Sequence, residues 1–205
     1  MEAERIKVGK IELALASASP RRSEILASLG LRFTVDAANI DEVVLPGESS
    51  DEMVRRLALG KAETVAGRRR NSLVIGADSI VTINGRIIGK PESAEHAGEI
   101  LSSLSGKTHE VITGMAFVRA VENLKKVLIC RSSVTFYELG KEKINDYIST
   151  GEYKGKAGAY AIQGRGAELV KSYDGSFTNI VGLPIRELLR FIIGYGMTRL
   201  AWKTG

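Results

Sequence analysis

The sequence predicts a mixed α/β fold, and three observations carry that expectation. Short apolar or β-branched runs of strand length alternate along the chain with segments of helical period. Helix-start signals, a serine before a proline and a capping box, stand between those runs. No repeat, low-complexity tract or composition shift divides the 205 residues, which suit one domain or at most two small lobes sharing a core.

Residues 11–17 (IELALAS) are an apolar run short enough for a buried strand. They lead into Ser19-Pro20, an N-cap followed by proline at the first helical position, and the helix carries Ile25, Leu26 and Leu29 to a stop at Gly30. Residues 31–38 alternate as a second strand, and a loop rich in Asp, Pro, Gly and Ser spans 41–50. A capping box from Ser49 to Glu52 opens a helix carrying Met53, Leu57, Ala58 and Val65. Residues 72–83 (SLVIGADSIVTI) form a strongly β-branched strand closed by the turn pair Asn84-Gly85. A helix over 93–104 ends at Gly106, and two long strands follow at about 110–120 and 125–137. A short helix over 141–150, strands around 157–162 and 168–171, and a last helix over 184–193 complete the chain.

At 44% hydrophobic and 26% charged residues, the chain can bury a core. No apolar run approaches the roughly 18 residues of a membrane span; the best candidate, LLRFIIGYGM, is broken by Arg190. The first ten residues mix both charge signs and lack the apolar stretch of a signal peptide. A lone Cys130 excludes an internal disulfide and fits a reducing compartment, so a cytoplasmic protein is expected. The net charge of +5 is mild and spread out, and only 6% of residues are aromatic, so no basic stripe with stacking platforms points to nucleic acid. The run Arg68-Arg69-Arg70 reads as a solvated helix end.

Familiar phosphate motifs fail. SGKT at 105–108 lacks the first glycine of a P-loop and follows a helix; GRIIGKP at 85–91 is one residue short between its glycines. QGRGAEL lacks the third glycine of a dinucleotide fingerprint at Leu169. SASPRR at 17–22 differs: a buried strand enters a helix whose first turn carries Arg21 and Arg22. Positive charge there opposes the helix dipole, which points either to a bound anion or to two exposed arginines of no consequence. Asp78 interrupts an otherwise buried strand, as a metal ligand or general base does, unless the strand ends at Gly76 and leaves it in a solvated turn. Lys90, framed by Gly89 and Pro91, is a placed charge or an ordinary exposed lysine, and Lys61 is unremarkable alone. Gln163 ends the strand-like AYAIQ, where its amide reads a base edge or caps a loop. His96 and His109 have no partner at metal spacing and read as structural; Cys130 reads as a small buried hydrophobe.

Taken in order, LASASPRRSEIL, GKAE, GADSIV, GKPESAEHAGEILSSLSGKTHEVITG, YISTGEYKGKAGAYAIQGRGA and GSFTNIVGLPI resemble the Maf family of nucleoside triphosphate pyrophosphatases over nearly the whole chain. The resemblance implies a long twisted mixed sheet with flanking helices and a central cleft, similar to the inosine triphosphate pyrophosphatase fold, and dimers are common in the family. It implies hydrolysis of a nucleoside triphosphate to the monophosphate and pyrophosphate with a divalent cation, Mg²⁺ or Mn²⁺. By its motifs, Ser17, Ser19, Arg21 and Arg22 grip the triphosphate with Lys61 and Lys90. Asp78 is catalytic and, with Glu42, faces the metal; Arg21, Ser79 and Gln163 match the base-selecting positions. GADSIV with AYAIQGRGA looks like the dTTP/UTP-hydrolysing branch, with Ser79 where threonine is usual, which leaves CTP or modified pyrimidines open. The competing readings are a non-catalytic nucleic-acid-binding or septum-regulating protein and a hydrolase of the same fold acting on purine or 7-methyl-GTP nucleotides.

Overall fold

The computed structural model describes residues 11–197. The mixed-charge segment at 1–10, read above for a signal peptide, lies outside the described residues.

Thirteen strands and helices run in the order β1 (Leu13–Leu15), α1 (Pro20–Ser28), β2 (Phe33–Val35), α2 (Ser50–Arg68), β3 (Leu73–Ile83), β4 (Arg86–Ile88), α3 (Ala94–Leu104), β5 (Thr108–Arg119), β6 (Leu124–Phe136), α4 (Lys141–Ser149), β7 (Val170–Asp174), α5 (Phe177–Val181) and α6 (Ile185–Gly194). The strands make one seven-stranded mixed sheet, ordered β2-β1-β3-β5-β6-β7 with β4 also on β3. β1 runs parallel to both β2 and β3, and the remaining pairs are antiparallel.

The sheet has two unlike faces because strand side chains alternate. Odd-numbered residues of β3 (Leu73, Ile75, Ala77, Val81) join the large core with Leu26, Leu101, Phe117 and Leu188. Even-numbered ones face α2, where Val74 packs with Ala58, Ala62 and Val65, and Ile80 with Val54 and Leu57. That helix lies unusually close. A Cβ on Gly76 would stand 2.2 Å from the Ala58 carbonyl, and one on Gly114 only 2.3 Å from that of Val54. Glycine is required at both by this backbone approach.

One edge of β3 is shared. β1 pairs with it as far as Ile75, and β4 takes up the same edge only at Val81. Between them, residues 76–80 are paired with β5 on the other side alone. This interruption lets side chains from both faces of the sheet reach one opening. The β3–β4 hairpin closes through Asn84 (φ 49°) and Gly85 (φ 75°), as the turn pair predicts.

Several expectations need correction. Residues 157–162 are not a strand. They make a 3₁₀ turn at Ala157–Ala159 and then buried irregular chain, with Gly158 at φ 72° and Ala159 at φ 57°. Apolar burial there mimics a strand; the amide of Gly158 donates to Gly89 O (3.2 Å), not to a ladder. The expected strand at 168–171 is shifted, since Gly164–Leu169 is 3₁₀ and the strand begins at Val170. Helix α5 is only five residues long, too short for the sequence pattern to predict. The alternating run 31–38 contributes only Phe33–Val35. Among the described residues, no helix is long and apolar enough to cross a membrane.

Candidate active site

At the interruption in β3 the chain encloses a cavity of about 1040 Å³. Ser17 and Ser19 line it from the β1–α1 turn, Arg21 and Arg22 from the first turn of α1, Glu42 and Lys90 from loops, Lys61 from α2, and Asp78 and Ser79 from β3. Gln163 is exposed and stands outside the lining, one residue beyond Ile162, which is part of it.

Helix α2 places the first cation. Lys61 falls on its buried stripe with Val54, Leu57, Ala58 and Val65, spaced as one face of a helix. Gly76 and Gly114 let that face approach the sheet on either side of Asp78, which is directly opposite Gly114 in register. Lys61 Nζ consequently donates to Asp78 Oδ1 at 2.6 Å and to Glu42 Oε1 at 2.5 Å. Lys61 and Asp78 are 6% and 7% exposed, so the strand does not end at Gly76 and Asp78 is a buried, paired acid. Lys90 Nζ closes the array from the solvent side on Glu42 Oε2 at 2.8 Å. Burial works against ionisation of Glu42, but the hydrogen bonds from Lys61 and Lys90 outweigh it and hold this carboxyl at about 2.

The loop carrying Glu42 is strapped along α2. At one end Asp36 accepts from Arg68 (Nε, 3.0 Å) and Arg69 (Nε, 2.5 Å). At the other, Arg56 donates to both Glu48 oxygens at 2.6 Å and to Val43 O at 2.9 Å. Two of the three arginines read as a solvated helix end are thus the anchor of this loop.

The opposite wall comes from the odd-numbered face of β3. Arg22 donates through Nε to Gly182 O (2.9 Å), through Nη1 to Ser17 Oγ (3.0 Å) and through Nη2 to Ser79 Oγ (3.1 Å). Burial lowers its pKa, and the nearby carboxylate of Asp78 pulls the other way. Arg22 is therefore held by the fold, whereas Arg21 has no hydrogen-bond or ion-pair partner among the described residues. Burial lowers the pKa of Arg21 too, with Tyr147 and Glu24 opposing. A half-buried cation without an anion is a costly arrangement unless an anion arrives.

Ser19 occupies the N-cap position of α1, yet its hydroxyl makes no cap hydrogen bond; its amide instead donates to Ser17 Oγ at 3.2 Å. The first turn of α1 is left uncapped at the cavity, in the manner of an anion-binding helix start.

Lys156 lines the cavity as well, although no local pattern marks it out. Burial, then the neighbouring Arg21, lowers its pKa. Its only sequence signal is its place in the quoted YKGKAGAY segment. His109 is buried against Tyr160, with Nε2 2.8 Å from the tyrosine hydroxyl, and is structural as expected. Cys130 is half-buried on β6, and burial pushes its thiol up. Among the described residues, no group of three or more His, Cys, Asp or Glu side chains could hold a metal ion. Glu42 and Asp78 by themselves suit only a cation that brings further oxygen ligands, as one carried by a polyphosphate does.

Known proteins resemble this chain along its length. A Moorella thermoacetica protein named dTTP/UTP pyrophosphatase is 46% identical over 186 residues, covering 91% of this chain and 96% of the relative. Proteins of that name from Myxococcus xanthus (45% over 191 residues; 93% and 95% covered) and a Geobacter species (47% over 177; 86% and 92%) are similarly close. Among solved structures, the Staphylococcus aureus Ham1 protein is 18% identical at a TM-score of 0.45, over 62% of this chain and 72% of its own. The family model for Maf-like proteins matches residues 12–194, the stretch that contains every side chain of the cavity described above, and the chain belongs to the Maf family.

Proposed function

We propose that this chain hydrolyses nucleoside triphosphates to the monophosphate and pyrophosphate, with dTTP and UTP as its substrates. The observation that carries the reading is the convergence of Arg21, Lys61 and Lys90 with Asp78 and Glu42 on one cavity. Relatives at 45–47% identity named dTTP/UTP pyrophosphatase support the choice of substrate.

The residues divide the work by charge. Arg21, with free donors at the uncapped start of α1, binds phosphate oxygens as a fork. Arg22 keeps Ser17 and Ser79 in place; Ser19 adds a hydroxyl from the N-cap. Lys90 and Lys156 supply point charges from the rim. Lys61 holds Asp78 by Oδ1, so Oδ2 is left to orient the attacking water and take its proton. The water oxygen bonds to the α-phosphorus, the bond from that phosphorus to the bridging oxygen breaks, and pyrophosphate leaves with that oxygen. A divalent cation, Mg²⁺ or Mn²⁺, held by Glu42, Asp78 and phosphate oxygens would neutralise charge on the chain of phosphates. Positioning and charge stabilisation dominate such chemistry.

Of the base-selecting positions, Arg21 and Ser79 line the cavity, and Gln163 needs the adjoining turn to move inward. We read the chain as one domain in two lobes about the cleft, working in the reducing cytoplasm that a single cysteine suits. The homodimer common in the family is tested by sedimentation.

Pyrophosphate release across a panel of common and modified triphosphates, with Mg²⁺ and then Mn²⁺, tests the reading. Release fastest from dTTP and UTP is expected. Release from none would overturn catalysis, and a purine or 7-methyl-GTP preference would overturn the substrate.

A further inference from the structure

Ser79 is placed directly opposite Thr113 in the antiparallel register of β3 and β5, and their hydroxyl oxygens are 2.8 Å apart. Thr113 is fully buried and stands outside the cavity lining. Its Oγ1 also stands 3.3 Å from the carbonyl oxygen of Asn179 in α5. That oxygen receives the Gly182 amide as well, at 3.0 Å, so its two lone pairs are taken. Asn179 is itself immobilised, donating through Nδ2 to Val111 O (3.1 Å) and Ser132 Oγ (3.0 Å).

The two ends of this chain of contacts determine where the protons lie. Arg22 can only donate, and a carbonyl can only accept. Each hydroxyl has one proton. All three contacts are hydrogen bonds in one orientation alone: Arg22 Nη2 to Ser79, Ser79 to Thr113, and Thr113 to Asn179 O. Reversing the middle bond would forfeit the last one. Ser79 therefore has no proton left for a ligand and offers its remaining lone pair only. It cannot donate to a phosphate oxygen, a carbonyl or a bare ring nitrogen.

We infer that Thr113 is a positioning residue for substrate selection. It makes Ser79 an obligate acceptor, which takes an N–H donor of the nucleobase: the imino N–H of uracil or thymine, where cytosine presents a bare nitrogen. This rests on the triphosphate reading above and adds to it the sign of the hydrogen bond that selects the base. Cytosine would set its bare ring nitrogen against the remaining Ser79 lone pair, two acceptors with no proton between them, and that mismatch discriminates more strongly than a missing methyl group.

The test is kcat/KM for UTP, CTP and imino-methylated UTP in wild type, Thr113→Val and Thr113→Ser. Wild type is expected to favour UTP over both others. In Thr113→Val the Ser79 proton is released and can serve cytosine, so the UTP-to-CTP ratio narrows about tenfold, while Thr113→Ser retains the wild-type ranking. A merely structural threonine would lower all rates together and leave the ratio alone. An active Thr113→Val with an unmoved ratio overturns the inference. So does a changed preference between UTP and dUTP at constant UTP-to-CTP ratio, which would assign the donor to the sugar. Should Thr113→Val fail to fold, Ser79→Ala decides by the same ratio: narrowing supports the inference and no change defeats it. Absence of release from every triphosphate in wild type would defeat the proposed function instead.

Discussion

The two walls of the cavity are built from adjacent residues of one strand and follow opposite rules. Asp78 faces α2 and sits in an array of charges, Lys61 between two carboxylates and Lys90 outside them. Ser79, the next residue, faces the other way into hydroxyls held by Arg22 and backed by Thr113. Buried charge is paid for in desolvation, and pairing returns that only in part. The charged wall is therefore an expense that stability alone does not explain, and it suits an anionic substrate. The hydroxyl wall buries one charge, the Arg22 guanidinium, whose donors go to the neutral oxygens of Ser17, Ser79 and Gly182, and the face it presents suits the discriminating of a neutral group.

The largest expected difference between the walls is in rate. Asp78→Asn should lower pyrophosphate release by about 10³-fold, the middle of the range for a positioned acid–base group, while a bound nucleotide is still retained. Near wild-type release with metal supplied would remove Asp78 from the chemistry. Next comes stability. Lys61→Met strands Asp78 without its cation, and about 3–5 kcal/mol should be lost in denaturant unfolding, as when one member of a buried pair is removed. An unchanged midpoint would mean that water reaches the pair freely. Arg21→Ala should weaken binding of a non-hydrolysable UTP analogue by about 1.5–3 kcal/mol, the worth of a hydrogen bond to a charged group. Unaltered affinity in a titration would return Arg21 to an idle surface cation.

The charged wall and the core behind Tyr160 should also fail at different pH. Burial holds the His109 imidazole, behind Tyr160, at about 4 against an ordinary 6.5. The folded state therefore binds fewer protons, so this contribution is complete above 6.5 and is lost as pH falls toward 4. Glu42, held at about 2 against 4.5, makes its contribution above 4.5 and loses it on the way down to 2. Unfolding midpoints should show two successive acid losses, with His109→Gln flattening the first alone; a single loss near 4.5 would contradict the assignment. The smallest effect is expected from Gln163→Ala, whose side chain is outside the cavity. A change under about twofold in base ranking fits the side-chain position, and a larger one would bring the 160–164 turn into substrate selection.

What could be read in advance follows from how local each signal is. Asp78 was legible because an acid inside VIGADSIV violates the pattern around it. Lys61 was legible in principle, since it shares helical spacing with Val54, Ala58 and Val65, although alone it looked ordinary. SASPRR gave the placement of Arg21 and Arg22, but not that Arg22 would be spent on Ser17, Ser79 and Gly182. The Ser79–Thr113 pair was not legible. It depends on the register of two strands joined through a hairpin and a helix, and a slip of one residue would turn every side chain to the other face. Asp36 with Arg68 and Arg69 was hidden for a similar reason, their partnership being tertiary. Residues 157–162 misled because burial without a ladder produces the same apolar run as a strand.

Where the label from heavy-oxygen water appears tests the central claim most directly. If the charged wall holds the outer phosphates while Asp78 directs water to the α-phosphorus, UTP turned over in labelled water should yield labelled UMP and unlabelled pyrophosphate. Label in the pyrophosphate would put the attack on another phosphorus and contradict the arrangement of the two walls around the substrate.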